Sequence, residues 1–179
     1  MDLKIGFLSV RQHCEHGFFG GYLLLNALAR PLEFHCTLPV KPSRAQELLY
    51  GPTLNDFVCG EQIAKALVEK AKIKATIIIT DVVPILALQS FTSQPVAFLK
   101  CEKGARDSAA SQLVKPKSNL STQPLSGLAH SLQVLASESN AEERTREVLS
   151  HLREDFDIEE PFQRVVEALL EAHPATKAA

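Results

Sequence analysis

The sequence lacks several features that would place it in a specialised class of protein. Its 179 residues include no tryptophan, and the four cysteines form no Cys-x-x-Cys pair. A disulfide scaffold and the common zinc motifs are therefore disfavoured. No apolar run reaches the length of about 18 residues that a membrane span needs, so we expect no membrane association. The first residues show no charged leader before an apolar stretch, and we therefore expect a cytoplasmic protein with reduced thiols.

Neither sign of charge is in strong excess. The chain carries 19 Lys and Arg against 21 Asp and Glu, a net charge of −2. Residues 1–136 contribute +4 and residues 137–179 contribute −6, so a mildly basic body precedes an acidic tail. Strong nucleic-acid binding requires a denser basic face than this sequence offers. We therefore do not expect a nucleic-acid partner.

The N-terminal part predicts three consecutive strands. Residues 3–10 and 32–38 alternate between apolar and polar side chains, and residues 21–25 form an apolar run between them. We interpret residues 11–20, which are polar and then glycine-flanked, as a long connecting loop. Three consecutive strands of this kind favour an antiparallel meander.

The middle of the body predicts helices and a parallel crossover. Ser43 and Gln46 have the spacing of a capping box, which predicts a helix over Arg44–Tyr50. Apolar residues at three- and four-residue steps predict a longer helix from Thr53 to Ala71. The β-branched run at 75–80 is typical of a central strand, and residues 95–101 predict its parallel neighbour.

These patterns together predict an α/β fold with three regions. The body, residues 1–102, contains a mixed sheet formed by an antiparallel meander and one β-α-β unit. Residues 103–136 are rich in serine and contain prolines, so we interpret them as a flexible linker. Residues 137–179 predict an acidic, amphipathic helical hairpin. Its apolar face must bury against the body or a second copy of the chain, and its predicted partner contacts are Val148, Leu152, Phe156, Phe162, Val166 and Leu169.

One cluster contains side chains that can bind a metal ion. His13, Cys14, Glu15 and His16 are consecutive, and His35 follows on the third predicted strand. Zinc takes His and Cys ligands in tetrahedral sets, so His13, Cys14, His16 and His35 are candidate ligands. The alternative is a solvated loop with no metal. Cys14 is also a candidate nucleophile, since it lies between two histidines.

A second set of residues is a candidate for binding a polar ligand. Ligands of open α/β sheets collect beyond the carboxyl ends of the parallel strands, where Asp81 follows the central strand. Arg11 or Arg44 could act with Asp81 there, although Asp81 as a helix cap is the simpler interpretation. The candidate ligand-binding residues are Glu33, His35, Thr37, Asp81 and Arg44.

Residues 30–37, RPLEFHCT, and residues 41–54, KPSRAQELLYGPTL, form one block of sequence. This block, from Arg30 to Leu54, resembles a stretch found in a family of uncharacterised bacterial proteins with no known activity. The resemblance implies a bacterial, cytoplasmic setting and transfers no catalytic role. It also implies that the third strand, its turn and the helix Arg44–Tyr50 form one structural unit.

Two functions follow from these patterns. An ordinary core with a tethered amphipathic hairpin favours a non-enzymatic recognition or accessory protein without a cofactor, which self-associates or docks a protein partner through its C-terminal helices. The alternative is a hydrolase-like enzyme that depends on zinc or a thiol and uses His13, Cys14, Glu15 and His16 with His35.

Overall fold

A mixed sheet lies at the centre of the computed structural model, which describes residues 3–100, 113–125, 131–136, 140–153 and 156–173. Within these residues the sheet has eight strands in the order β3-β2-β1-β4-β5-β8-β7, and β6 pairs with β1. The strands are β1 (Lys4–His13), β2 (Gly17–Asn26), β3 (Pro31–Cys36), β4 (Ile77–Thr80), β5 (Val96–Leu99), β6 (Leu113–Val114), β7 (Thr122–Pro124) and β8 (Leu132–Leu135). The α-helices are α1 (Arg44–Tyr50), α2 (Lys65–Lys70), α3 (Ala141–Leu149) and α4 (Glu160–Ala172).

The pairing confirms the predicted α/β fold. Strands β1, β2 and β3 form an antiparallel meander. Strand β4 lies parallel to β1 on one side and to β5 on the other, which gives the expected crossover. The crossover between β4 and β5 contains a 3-10 helix, Val83–Phe91. Strands β8 and β7 then extend the sheet in an antiparallel manner.

The predicted loop over residues 11–20 is wrong. Strand β1 continues to His13 and β2 begins at Gly17, so only Cys14–His16 form the turn. The polar side chains of Arg11 and His13 obscured the strand in the sequence, but both are buried. Gly17 has a φ of 87°, a left-handed conformation that favours glycine.

Helices cover both faces of the sheet. One face packs against α2, the π-helix Asp56–Ala64 that precedes it, and the 3-10 helix. The opposite face packs against α4, which lies over β1 and β2, and α3, which lies over β5 and β8. Alternate residues of β1 enter the two layers: Phe7 packs toward α4, and Leu8 packs toward the π-helix. The apolar β4 is therefore covered on both sides, as its sequence predicted.

The capping box is confirmed, whereas the longer helix differs from its prediction. Gln46 donates its backbone N–H to Ser43 Oγ at 3.2 Å, and Ser43 donates its own N–H to Gln46 Oε1 at 2.9 Å. The segment after α1 begins with a 3-10 turn, Gly51–Thr53, and continues as the π-helix. A side chain at Gly60 would meet Ala87 Cβ at 2.7 Å, so glycine there allows the π-helix to approach the 3-10 helix closely.

The predicted linker over 103–136 is wrong wherever the structure describes it. Strands β6, β7 and β8 lie within this range and join the sheet. They are only two to four residues long, too short to produce a recognisable alternation in a serine-rich sequence. Residues 103–112 and 126–130 of the predicted linker lie outside the described residues.

The C-terminal helices form, but their apolar residues do not make a free surface. They pack on the sheet, which was one of the two alternatives that the sequence left open. The expectation of a partner surface is corrected accordingly, because the sheet of the same chain covers these side chains. Val148, Phe156, Phe162, Val166 and Leu169 are buried, and Leu152 is partly buried against them. No helix among the described residues combines the length and apolarity needed to cross a membrane.

Candidate ligand site at the carboxyl ends of the parallel strands

A gap interrupts the pairing along one edge of β1. Strand β4 pairs with this edge as far as Leu8, opposite Thr80, and β6 pairs with it from Gln12. On this edge, between β4 and β6, no strand in the described part of the chain pairs with Ser9–Arg11, which pair with β2 on the other edge. Asp81 directly follows β4 and enters this gap. The carboxyl ends of parallel strands are where open α/β sheets bind their ligands.

The Asp81 carboxylate is contacted by three side chains. Ser9 Oγ donates to Oδ1 at 2.6 Å, and Arg11 Nη2 donates to Oδ2 at 2.7 Å. Lys115 Nζ lies 2.9 Å from the same Oδ2. Arg11 also donates to Ser9 Oγ and to the carbonyl of Val10. We call these four residues, Ser9, Arg11, Asp81 and Lys115, the strand-end cluster.

The cluster is buried at its centre and open at Lys115. The side chains of Arg11 and Asp81 are 6% and 1% exposed, whereas that of Lys115 is 41% exposed. Burial by itself raises the pKa of the Asp81 carboxyl. The charges of Arg11 and Lys115, with hydrogen bonds from Arg11 and Ser9, outweigh burial and lower that pKa to about 2. At neutral pH, two cations therefore surround one carboxylate.

Residues 113–120, which we call the strap, cross the end of the sheet above this cluster. Leu113 packs on the α4 side of the sheet, and Leu120 packs on the side of the π-helix. Polar contacts hold the strap between these two points. Lys115 binds Asp81, and Asn55 Nδ2 donates to the Lys117 carbonyl at 2.8 Å.

Asp56, at the start of the π-helix, makes a further contact with the strap. Burial raises the pKa of its carboxyl, and a hydrogen bond with Ser118 only partly offsets that effect. Asp56 Oδ1 is buried without a hydrogen-bond partner among the described residues. The strap thus contacts two carboxylates, Asp81 through Lys115 and Asp56 through Ser118.

The structure revises the sequence interpretation of Asp81. The 3-10 helix after β4 begins from Val82 without a side-chain cap, so Asp81 does not cap it. Arg11 is the arginine beside Asp81. Arg44 instead pairs with Glu47 at 3.0 Å on exposed helix α1. Ser9 and Lys115 are not among the predicted site residues, because nothing in the sequence connects residues so far apart along the chain.

The other candidate ligand-binding residues lie on β3 or just after it, two strands away from β1. Glu33 accepts a hydrogen bond from the Lys72 backbone at 3.0 Å and lies 3.2 Å from His35 Nε2. Thr37 Oγ1 accepts from the Gly20 backbone at 3.0 Å. The structure does not bring Glu33, His35 or Thr37 to Asp81, and their polar atoms serve contacts that fix β3 to its neighbours.

The structure does not assemble the predicted zinc site. The rings of His13 and His16 stack with their centroids 4.6 Å apart, and Cys14 is exposed in the turn. His13 Nδ1 accepts backbone hydrogen bonds from Glu15 and His16 at 3.1 and 3.3 Å.

His35 is remote from these residues. His35 pairs with Tyr22 of β2, and Tyr22 pairs with Leu8 of β1. Leu8 lies five positions from His13 along β1, so His35 and His13 are separated by about 16 Å in the strand direction at the usual rise of a strand. No group of three or more His, Cys, Asp or Glu side chains in the described ranges is arranged to hold a metal ion.

Helix α1 is the second feature with functional implications. None of its residues is buried. Leu48 is 67% exposed and Leu49 is 84% exposed, and Leu38, shortly before the helix, is 80% exposed. Tyr50 stacks on Phe57, with ring centroids 4.0 Å apart, which connects the end of the helix to the body. We call Leu38, Leu48 and Leu49 the α1 surface.

The comparisons with known proteins assign no family: no protein-family model matches this chain, and no curated protein matches it either. The resemblance of the Arg30–Leu54 block therefore stays a prediction. The structural unit that it implies includes β3 and α1, which both lie within the block.

Proposed function

We propose that this protein acts by protein–protein recognition and that it self-associates through the α1 surface. The observation that carries the proposal is a helix of seven residues that buries none of them and exposes Leu48 and Leu49. Isolated helices shorter than about 12 residues are marginal in water. Packing against another molecule supplies apolar contacts that the described residues of this chain do not.

A second copy of the chain suits this surface for a reason of charge. Arg44 and Glu47 form an exposed pair on α1, with Nη1 and Oε2 3.0 Å apart. Two copies of α1 placed antiparallel about a two-fold axis bring each Arg44 toward the other copy's Glu47. The same axis brings the exposed leucines of the two copies together. Such isologous contacts are the commonest way in which soluble proteins assemble.

We infer a cytoplasmic setting for this activity. Cys14 lies exposed with a free thiol in the turn between β1 and β2. Exposed thiols persist in reducing compartments and become oxidised outside them. The bacterial origin implied by the Arg30–Leu54 block is part of the same proposal.

Sedimentation velocity of the full chain over a range of concentrations tests the proposal. We expect the unmodified protein to dimerise and the double variant L48E/L49E to be monomeric, because two carboxylates replace apolar side chains at the interface. Both residues are exposed, so the fold of the variant should be intact, which circular dichroism and a thermal melt verify.

Leu28→Glu is the matched control. Leu28 is also exposed, at 62%, but it lies in the turn between β2 and β3. Lys41, just before α1, contacts the Glu15 backbone, so α1 follows a segment that lies near the start of β2. The turn that contains Leu28 is at the other end of β2. We expect Leu28→Glu to dimerise normally. A monomeric unmodified protein, or equal loss of the dimer in both variants, would refute the proposal.

A further inference from the structure

The strand-end cluster has one positive charge more than it has negative charges. Arg11 and Lys115 face the single carboxylate of Asp81. The pair of Arg11 and Asp81 is almost completely enclosed, so its charges are balanced within the protein. The charge of Lys115 is the one left over.

Lys115 has hydrogen-bonding capacity beyond its contact with Asp81. An ammonium group has three N–H donors, and Asp81 Oδ2 accepts one of them at 2.9 Å. The side chain is 41% exposed, so solvent reaches it. Exposed Lys100 directly follows β5, the parallel neighbour of β4, and adds positive charge at the same end of the sheet.

Asp81 and the strap together fix the position of the Lys115 side chain. Asp81 holds the ammonium at the gap between β4 and β6, at the carboxyl ends of the parallel strands. The strap keeps it there, since Leu113 and Leu120 are packed on opposite faces of the sheet. Both ends of the segment that contains Lys115 are packed, and a buried carboxylate orients its ammonium group. Such a lysine loses less conformational entropy when it binds a ligand than a mobile surface lysine does.

We propose that the strand-end cluster binds a small oxyanion, a phosphate or a carboxylate group, on the solvent side of Lys115. The ammonium donates to the anion while it keeps its contact with Asp81. Arg11 and Ser9 do not need to touch the ligand, because they hold Asp81 in place. This site is separate from the α1 surface, so its failure would leave the proposal of self-association standing.

Thermal melts in sodium phosphate test the proposal, with sodium chloride keeping the ionic strength constant. A ligand that binds only the folded state raises the melting temperature as its concentration exceeds Kd. We expect this increase for the unmodified chain. Lys115→Gln should weaken phosphate binding about tenfold or more, as expected for one lost charge-assisted hydrogen bond. Lys115→Arg should retain binding, because it keeps the charge.

Lys117→Gln is the matched control, since Lys117 is an exposed lysine two residues further along the same strap. It should bind phosphate as the unmodified chain does. The same melts in sodium acetate distinguish a phosphate from a carboxylate ligand. A larger increase in melting temperature with acetate than with phosphate indicates a carboxylate ligand. The absence of a shift with both anions would overturn the proposal, as would equal weakening by Lys115→Gln and Lys117→Gln.

A second measurement does not depend on the stability of any variant. Amide chemical shifts of the unmodified ¹⁵N-labelled chain, followed during phosphate titration, should change around Lys115, Asp81 and Ser9. Changes spread evenly over exposed lysines would indicate non-specific screening and would refute the site.

Discussion

Helices α1 and α4 both carry apolar residues, yet these residues have opposite surroundings. Helix α4 lies over β1 and β2 and buries Phe162, Val165 and Leu169 among the side chains of the sheet. Helix α1 buries none of its residues and exposes Leu48 and Leu49. The apolar positions of α4 recur at steps of three and four, which makes a stripe wide enough to cover a sheet. The two leucines of α1 are adjacent, so they cannot form such a stripe.

The comparison shows what an amphipathic pattern can and cannot indicate. It predicts that a helix needs apolar contacts, and it does not identify the surface that supplies them. The sequence predicted adhesive C-terminal helices, but the sheet of the same chain covers them. The two most exposed leucines of any helix in the described part of the chain, Leu48 and Leu49, lie instead on the short helix that the capping box identified.

The largest expected difference between the two helices is in the free energy of unfolding. Phe162 is 4% exposed, and its ring meets that of Phe7 edge-on, with centroids 5.4 Å apart. Phe162→Ala should destabilise the fold by about 3–5 kcal/mol in urea denaturation. Leu49→Ala should change the stability of the monomer by less than about 0.5 kcal/mol. Similar losses for both variants would contradict the described packing.

The ion pairs of the two regions should differ almost as strongly. Asp81→Asn leaves the Arg11 guanidinium buried without its counter-charge, and we expect a loss of about 3 kcal/mol. Glu47→Gln breaks the exposed pair with Arg44 on α1 and should cost at most about 1 kcal/mol. Urea denaturation at pH 7 measures both values. If Asp81→Asn were as mild as Glu47→Gln, the strand-end cluster would not be buried as described.

The pH dependence of stability sharpens the same comparison. The pKa of Asp81 is lowered to about 2 from the usual value of 3.8. The stabilisation of the fold by its carboxylate is therefore complete at any pH above the pKa that Asp81 has in the unfolded chain. We expect about 2 kcal/mol of stability to disappear as the pH falls from about 4 to about 2. Asp81→Asn should lack this part of the acid-induced loss. Parallel stability curves for the two proteins between pH 5 and pH 2 would disprove the assignment.

The smallest effect concerns the cap of α1. Ser43→Ala removes the hydrogen bond from the Gln46 backbone and should cost the helix about 1 kcal/mol. Because α1 buries no residue, this cost should appear as faster hydrogen exchange of α1 amides in monomeric protein, with little change in the global melting temperature. A drop in melting temperature without faster exchange in α1 would show that the helix is coupled to the core.

Local patterns predicted the elements whose stabilising contacts are themselves local. The capping box of α1 and the doubly covered strand β4 are examples, since Ser43 meets Gln46 within one turn and β4 is apolar throughout. The end of β1 was missed because Arg11 and His13 are polar although they are buried. Their polarity is satisfied by hydrogen bonds and ion pairs, which a search for alternation does not detect.

The strand-end cluster shows the second reason for failure. Asp81 was singled out from its place after the central strand, and Arg11 was one of two arginines considered. Ser9 lies on β1, and Lys115 follows the two-residue strand β6. Pairings between residues so distant in sequence are set by the arrangement of the whole sheet. Local composition contains no information about them.

The order of strands in the sheet also affects how the chain emerges from the ribosome. Strand β1 is complete at His13, and its hairpin partner β2 follows at once, but its central neighbour β4 begins only at Ile77. At the usual rate of synthesis, roughly 3 to 13 s pass before that neighbour is made. During this time the apolar hairpin exposes an unpaired edge, which other nascent chains or a chaperone can bind. The earliest-made strand of this sheet therefore lacks one of its two neighbours while the whole segment between β2 and β4 is synthesised.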